Sequence, residues 1–414
     1  MTPARDRAAA TLPHPSPGTH RVRKAEGAVY IAFAGSGFAF ASWAARIPQV
    51  RDRLHLDPGT LGLVLLCIAI GSIIAMPLAG VVVTRLGEAR SITIMSLILA
   101  AGLATVAVGQ LRGVAPVAAG LFLVGFGNGT WDVAMNVQGA AVEQELGRAI
   151  LPKFHAGWSV GTVAGAAIGA AMVALDVPVT AHLLAVALLV ALAVPVSTRG
   201  FLPPHADAGE HDPADRPRRN PLKAWTEPRT LLIGFFVLCM AFTEGTGNDW
   251  LSIALIDGYR VPAALGTLTF ALFLAAMTTG RWFGPALIDR YGRVPALRAS
   301  AAAALAGLLT VVFGQIVPLA MLGAVLLGLG TALGFPVGLS AAADDPRHAA
   351  GRVSVAASIG YVAFLAGPPV IGFLGDRVGV LRGLTITAVL LAIAVVAASA
   401  TAPLPTATEE PGGG

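Results

Sequence analysis

A few charged and amide side chains interrupt otherwise apolar runs of the sequence, and these residues could carry chemistry inside a membrane. Asn128, Asp132 and Asn136 are spaced four residues apart, so a helix places all three on one face. Glu244 and Asn248 have the same spacing. An ionised group costs about 2.5 to 3.5 kcal/mol at the centre of a transmembrane helix on insertion scales. We therefore expect these faces to line a site within the protein.

Two readings of these residues remain open. A partly desolvated carboxyl can take up and release a proton near neutral pH, which predicts a proton-coupling role for Glu244 or Asp132. Arg281, which also lies within an apolar run, would hold an anionic or hydroxyl-rich ligand through its planar fork. The alternatives are hydrogen bonds that only join helices and a permanent ion pair of Glu244 with Arg281.

The composition excludes a water-soluble chain. Of 414 residues, 55% are hydrophobic and 12% charged, against about 25% charged in a soluble domain. At about 20 residues per span, twelve apolar runs can be placed, six before and six after a polar stretch. The predicted organisation is a tail at 1–27, a six-helix bundle at 28–197, a linker at 198–228, a six-helix bundle at 229–402 and a tail at 403–414.

The distribution of basic residues predicts the orientation in the membrane. Counted over alternate sides, 20 Lys and Arg residues fall on the side of the N-terminus and 7 on the other, with Arg281 inside a span. Short cytoplasmic loops retain positive charge. Both termini are therefore predicted to be cytoplasmic, in the cell membrane of a bacterium.

The two halves repeat at a nearly constant offset. Gly109-Gln110 returns as Gly314-Gln315, 205 residues later. Gly125 and Gly127 return as Gly328 and Gly330 at an offset of 203, and Arg148 returns as Arg352 at 204. Two bundles of one ancestry are the layout that lets secondary transporters rock about a site at the midplane. The predicted fold is an all-α integral membrane protein with twelve transmembrane helices in two pseudo-symmetric bundles.

Several motifs resemble the major facilitator superfamily. GVVVTRLGEAR from Gly80 is similar to its signature loop, with Thr84 where the family usually has Asp, and PALIDRYGR repeats that loop in the second half. SWAARIPQVRDRL, KFHAGWSVG and EGTGNDW resemble the YbjJ-like branch. A third copy, GFLGDRVG around Asp376, lies on the side opposite the termini by the helix count and is not expected to form a cytoplasmic gate.

The resemblance implies a secondary carrier whose fourth helix lines the cavity. The implied substrate-binding residues are Asn128, Trp131, Asp132, Asn136, Asn248 and Arg281. Trp43, Trp158 and Trp250 could also stack on a sugar or cyclitol ring, or on a planar drug. An exporter of amphipathic compounds and a non-transporting receptor of the same fold remain open alternatives.

Two gates are predicted between the halves. Arg46 and Asp249 reach a similar depth and would form an outer gate, unless Arg46 binds carbonyls or Asp52 of its own half. At the inner gate, Arg85 and Arg90 would face Asp344 and Asp345. The remaining inner-gate residues, expected to face one another across the halves, are Asp289, Arg290 and Arg293 on one side and Glu143, Glu145 and Arg148 on the other.

Other classes of protein are disfavoured. None of the three lysines follows a glycine, so no Walker A loop of a primary pump is present. The eight histidines are dispersed without H-E-x-x-H, and no paired cysteine spacing occurs, which disfavours an enzyme, a metal site and a bound cofactor. No basic patch interleaved with aromatics indicates nucleic acid. The expected partners are a small-molecule substrate, protons and the lipid bilayer, and the expected state is a monomer.

Overall fold

The computed structural model describes residues 17–148, 150–203, 221–345 and 348–404, and these are helical apart from short connections. Most of the predicted tails and central linker lies outside the described residues. The first half contains α1 (Pro17–Ala44), α2 (Ile47–Leu54), α3 (Pro58–Leu86), α4 (Glu88–Gly109), α5 (Val114–Leu146), α6 (Leu151–Ala174) and α7 (Val179–Thr198). The second half contains α8 (Pro228–Tyr259), α9 (Ala263–Tyr291), α10 (Arg293–Phe313), α11 (Val317–Thr331), α12 (Gly334–Ala342), α13 (Ala349–Val378), α14 (Val380–Gly383) and α15 (Thr385–Ala397).

Twelve helical segments of the described chain are long and apolar enough to cross a membrane, as the sequence predicts. Three of these segments combine two helices, namely α1 with α2, α11 with α12, and α14 with α15. Several helices run past the predicted apolar runs, as α5 does to Leu146, because Ala, Glu and Gln there are good helix formers even where they are polar. An even number of spans puts both ends of the chain on one side, called here the termini side, and the opposite surface is the far side.

Glycines let the backbones of neighbouring helices touch within each half, and these contacts repeat. A Cβ on Gly125 of α5 would collide with the carbonyl oxygen of Ile68 in α3. Its counterpart Gly328 in α11 stands in the same relation to the carbonyl of Phe273 in α9. Small residues at such crossings allow close van der Waals packing where lipid removes the hydrophobic drive for association. The repeat seen in the sequence is therefore also a repeat of helix contacts.

The signature loops share one backbone conformation that requires glycine. Gly87 between α3 and α4 has φ 75°, and Gly292 between α9 and α10 has φ 86°. Gly379, in the third copy of the motif, has φ 82°. A residue with a Cβ is strained at these angles. Gly379 follows α13 on the far side, as the helix count predicts.

We expect Gly125→Ala to destabilise the protein and Gly80→Ala not to. Both glycines lie inside helices. Replacing glycine by alanine there, without any new contact, stabilises the helix by about 0.5 to 1 kcal/mol. Gly80 has no neighbour that a Cβ would meet, whereas the Cβ at 125 strikes a backbone oxygen, and overpacking costs about 1 to 3 kcal/mol. Thermal unfolding of both purified variants in one detergent measures the difference. An unfolding temperature for Gly125→Ala equal to that of Gly80→Ala would contradict the packing argument.

Candidate functional site

Arg281 joins the two halves at the centre of the candidate site. Its Nη2 donates to Glu244 Oε1 at 2.9 Å, and both side chains keep some exposure, 24% for Arg281 and 12% for Glu244. The Cζ atom of Arg281 also lies 5.8 Å from the ring centroid of Trp158, within cation–π distance. Glu244 and Arg281 belong to α8 and α9 of the second half, whereas Trp158 belongs to α6 of the first. The ion pair that the sequence left as an alternative is formed.

The glycine seam of α6 determines where Trp158 points. A Cβ on Gly161 would strike the carbonyl of Ala34, and one on Gly165 would press against Phe38, so this face of α6 packs on α1 of its own half. Trp158 lies three residues before Gly161, toward the edge of that face. Its ring is therefore free to meet Arg281 across the interface, and it remains partly exposed.

The polar stripe of α5 is partly used inside its own half. Ser36 Oγ donates to Asn128 Oδ1 at 2.8 Å. Asn136 Nδ2 donates to the backbone carbonyl of Asp132 at 2.8 Å, within its own turn. Among the described residues, the carboxylate of Asp132 forms no hydrogen bond or ion pair, and the side chain is partly buried. Asp132 is therefore the member of the stripe whose charged group is available to a ligand or a proton.

Most of the tryptophans that could stack on a ligand are buried in this state. Trp131 is 0% exposed, Trp250 0% and Trp43 1%, and none of their indole nitrogens has a partner in the described structure. Trp131 therefore presents no face to a cavity in this structure, whereas the ring of Trp158 is partly exposed. Asn248 lies on the Glu244 face of α8, and its buried Oδ1 also lacks a described partner.

The predicted outer gate is not formed. Arg46 Nε donates to His182 Nδ1 at 2.9 Å, and Nη2 donates to the carbonyl of Val177 at 3.0 Å. These partners belong to the first half, His182 within α7 and Val177 just before it. The carbonyl alternative to the gate is therefore the observed one.

Other residues close the far side between the halves. Arg51 in α2 binds Asp257 in α8 through two hydrogen bonds of 2.5 and 3.0 Å. Asp376 Oδ1 accepts from the backbone N–H of Gly59, at the start of α3, at 3.1 Å. A Cβ on Gly59 would collide with that carboxylate. The third copy of the signature motif, which supplies Asp376, thus contributes to closure on the far side.

The inner-gate residues form contacts within their own halves. Asp344 accepts from Arg293 at 2.8 Å and from Arg229 at 2.8 Å, so it is occupied by arginines of the second half instead of Arg85 or Arg90. Glu143 accepts from the backbone N–H groups of Ile150 and Leu151 at 2.7 and 2.8 Å, so it caps α6. The predicted contact of Arg293 with the Glu143 group is therefore not formed in this state.

Arg148 and Arg352 occupy equivalent positions in the repeat and have equivalent partners. Arg148 lies 3.8 Å from Glu26, before the membrane part of α1, and Arg352 Nε donates to Glu227 at 2.6 Å, before α8. The Arg352 guanidinium lowers the pKa of the Glu227 carboxyl below its usual value. Both arginines hold the first span of their own half.

The remaining inner-gate residues lie at the surface of the termini side. Arg85, Arg90, Asp289 and Arg290 are exposed. The guanidinium of Arg290 stacks 5.2 Å over the ring of the neighbouring Tyr291.

Residues 29–361 match the sequence profile of the Major Facilitator Superfamily. The chain belongs to this superfamily. It is 31% identical over 375 residues to an MFS-type transporter of Yersinia pestis, covering 90% of this chain and 94% of the relative. It is 30% identical to the transporter y4wD of Sinorhizobium fredii over 344 residues, which cover 82% of this chain and 88% of y4wD. The protein is therefore a multi-pass membrane transporter and not an enzyme.

Solved structures agree on the fold. A single-residue variant of the nucleoside transporter NupG superposes with a TM-score of 0.73 at 16% identity, covering 92% of this chain and 98% of NupG. The fucose:proton symporter FucP of E. coli superposes with a TM-score of 0.61 at 17% identity, covering 91% and 98%. Both are major facilitator transporters, so the all-α fold of twelve spans is confirmed.

We expect Glu244 and Arg281 to be energetically coupled. Removing one partner of a buried pair leaves an uncompensated charge and costs about 3 to 5 kcal/mol, and the partial exposure here makes a smaller loss expected. Glu244→Ala and Arg281→Ala should each lower the unfolding temperature, and the double variant should lose less than the sum. A double-mutant cycle on purified protein measures the coupling. Strictly additive losses would show that the pair contributes no interaction energy.

Proposed function

We propose that the protein is a secondary active transporter that moves a small polar solute, sugar-like or cyclitol-like, by alternating access coupled to protons. The observation that carries this proposal is the cluster of Glu244, Arg281 and Trp158, which spans the two halves. A guanidinium and a carboxylate offer hydrogen bonds to hydroxyl groups, and an indole face stacks on an apolar sugar face. Trp43, Trp131 and Trp250 are buried and offer no stacking face for a planar drug.

The comparisons support a polar solute and a proton. NupG is a nucleoside transporter and FucP a fucose:proton symporter, and both carry solutes that contain a sugar. In this chain, Glu244 and Asp132 are the candidate proton carriers. Protonation of Glu244 would release Arg281 for the solute, and re-ionisation would restore the pair, which provides a physical link between proton and substrate.

Charge distribution supports the proposed location. With 20 basic residues on the termini side and 7 on the far side, the termini side is assigned to the cytoplasm of a bacterial cell. The far-side contacts of Arg51 with Asp257 and of Asp376 with Gly59 then close the outer entrance. The described ion pairs of Asp344, Arg148 and Arg352 stay within one half, which is consistent with a state open to the cytoplasm.

Neutralising the proton carrier should uncouple transport. Thermal stabilisation by a panel of monosaccharides, cyclitols and nucleosides first identifies a solute, and its labelled form is then followed in proteoliposomes. Glu244→Gln or Asp132→Asn should abolish accumulation driven by a proton gradient and retain counterflow exchange. Glu88→Gln, at the first turn of α4 on the termini side, is the matched control. Normal accumulation by both site variants would rule out these carboxyls as proton carriers.

Weakening the far-side contacts should populate a state open on that side. Spin labels on exposed Arg53 and Arg382, with Cys67 and Cys239 replaced, report the separation of the halves there. Exposed polar contacts are worth about 0.2 to 1 kcal/mol each, so removing two of them with Asp257→Asn and Asp376→Ala should raise the long-distance population by about two- to thirtyfold. Arg377→Ala, the exposed neighbour of Asp376, should leave the distances unchanged. The same distance distribution in the double variant as in the Arg377→Ala control would contradict the assignment of these contacts to closure of the far side.

A further inference from the structure

Arg46 is a buried cation without a carboxylate partner in the described structure. It is 2% exposed, and its partners are a histidine ring nitrogen and a backbone carbonyl, neither of which carries a negative charge. Nε and one N–H of Nη2 are used, so two N–H groups at the end of the planar fork remain. Buried charges in proteins are paired or bind an ion. The guanidinium is therefore an unmatched charge with a free bidentate edge.

The side chains around Arg46 also carry buried polar atoms without a described partner. His182 is 4% exposed and accepts at Nδ1 from Arg46, so the neutral ring carries its proton on Nε2, which is buried and has no partner among the described residues. The Gln49 amide also has no described partner at Nε2 or Oε1. Buried polar groups are nearly always hydrogen-bonded, so three orphaned side chains in one place require an explanation.

Arg46 and Gln49 line a cavity of about 440 Å³ on the far side, between the two halves. The opposite wall is formed by Pro262, Ala263 and Ala264, at the N-terminus of α9. The first N–H groups of a helix have no partner within it, and Pro262 has no side-chain cap to offer. The cavity also meets Pro178 and Val179 at the N-terminus of α7, which is likewise uncapped.

Two uncapped helix N-termini and a free guanidinium edge surround one space, and both kinds of group attract anions. Asp176 is the one acid in the lining, and it is exposed and forms no ion pair with Arg46. We propose that this cavity binds a small oxyanion, a carboxylate or a phosphate, held end-on by Arg46 and contacted by Gln49 and the N–H groups of α9. Because Arg46 and α9 belong to different halves, the bound oxyanion bridges them on the far side.

The guanidinium geometry selects the ligand class. Two parallel N–H groups match two oxygens of one carboxylate or phosphate, whereas a halide offers a single centre. The volume lies within the range of small-molecule sites, about 300 to 1,000 Å³, and accommodates an oxyanion with a short organic substituent. This site is separate from the Glu244–Arg281 pair, and its occupancy does not depend on which solute is transported.

The test is the thermal stability of the full-length protein in detergent, with a bulky organic sulfonate as background anion. Formate, acetate, phosphate, sulfate and chloride are titrated separately. Saturable stabilisation by a carboxylate or phosphate is expected, with a half-saturating concentration at least tenfold below that of chloride. Adding phosphatidylglycerol at fixed low salt distinguishes a lipid phosphate from a free anion. Absence of saturation, or equal potency of chloride, would overturn the oxyanion assignment.

Variants localise the effect. Gln49→Leu and Ala263→Pro should each raise the half-saturating concentration at least threefold, and Arg46→Gln should abolish the response. Proline is compatible with position 263, because it is the first residue of α9 and Pro262 has the extended ψ of 147° that a following proline needs. Arg112→Gln, an exposed far-side arginine, is the control.

The Asp176→Asn variant distinguishes an external oxyanion from the alternative that Asp176 itself neutralises Arg46. If Asp176 swings in as an internal counter-ion, Asp176→Asn should destabilise the anion-free protein. If an external oxyanion binds, Asp176→Asn should lower the half-saturating concentration of that anion, because it removes a negative charge from the exposed edge of the cavity. Unchanged responses in Gln49→Leu and Ala263→Pro would refute the site even if Arg46→Gln fails to fold. Loss of transport in Glu244→Gln with retained anion stabilisation would separate this proposal from the proposed function.

Discussion

Contact between bare helix backbones is the constraint on which the rest of this structure depends. In a bilayer, helices gain nothing from burying apolar side chains that lipid solvates equally well, so close packing must hold them together. Gly125 over the carbonyl of Ile68 and Gly328 over that of Phe273 show that both halves use the same crossing. A larger residue would separate the helices, and the polar side chains between them would lose their positions. Each half is thus a tightly packed body.

Contacts between the halves combine backbone crossings with polar side chains. A Cβ on Gly62 of α3 would collide with the carbonyl of Pro368 in α13, across the halves. Arg281 with Trp158, and Arg51 with Asp257, use charged side chains with some access to water. Such contacts cost little to break, because water can replace the partner. Movement of one half against the other must therefore separate the backbone crossing of α3 with α13 as well as exchange these polar contacts with water. The partly exposed pair of Glu244 and Arg281 contacts Trp158 across the interface between the halves, so such a movement would change its access to water.

The sequence was sufficient for the fold because the fold depends on local patterns. Apolar runs predict spans, and constant offsets between Gly125 and Gly328 predict equivalent crossings, which the structure confirms. Partners of charged side chains depend on helix rotation by a few tens of degrees, and the sequence does not contain that information. Depth along the helices matches Arg46 to Asp249, whereas its guanidinium binds His182. A histidine inside the apolar run of α7 was the available indication of that partner.

The three copies of the signature loop differ at the acidic position before the shared arginine, and this difference favours contact between the halves on the far side. Thr84 in the first copy donates to the carbonyl of Gly80 at 2.7 Å, within its own helix, so it offers no charge across the interface. Asp376 in the third copy directs a carboxylate at the N-terminus of α3, where the helix dipole favours negative charge. Gly59 is needed for this approach, since a Cβ would collide with the carboxylate. The acid missing from the first copy and the acid present in the third both favour contact between the halves on the far side, and the transport cycle proposed above requires the solute to supply the free energy that reverses this preference.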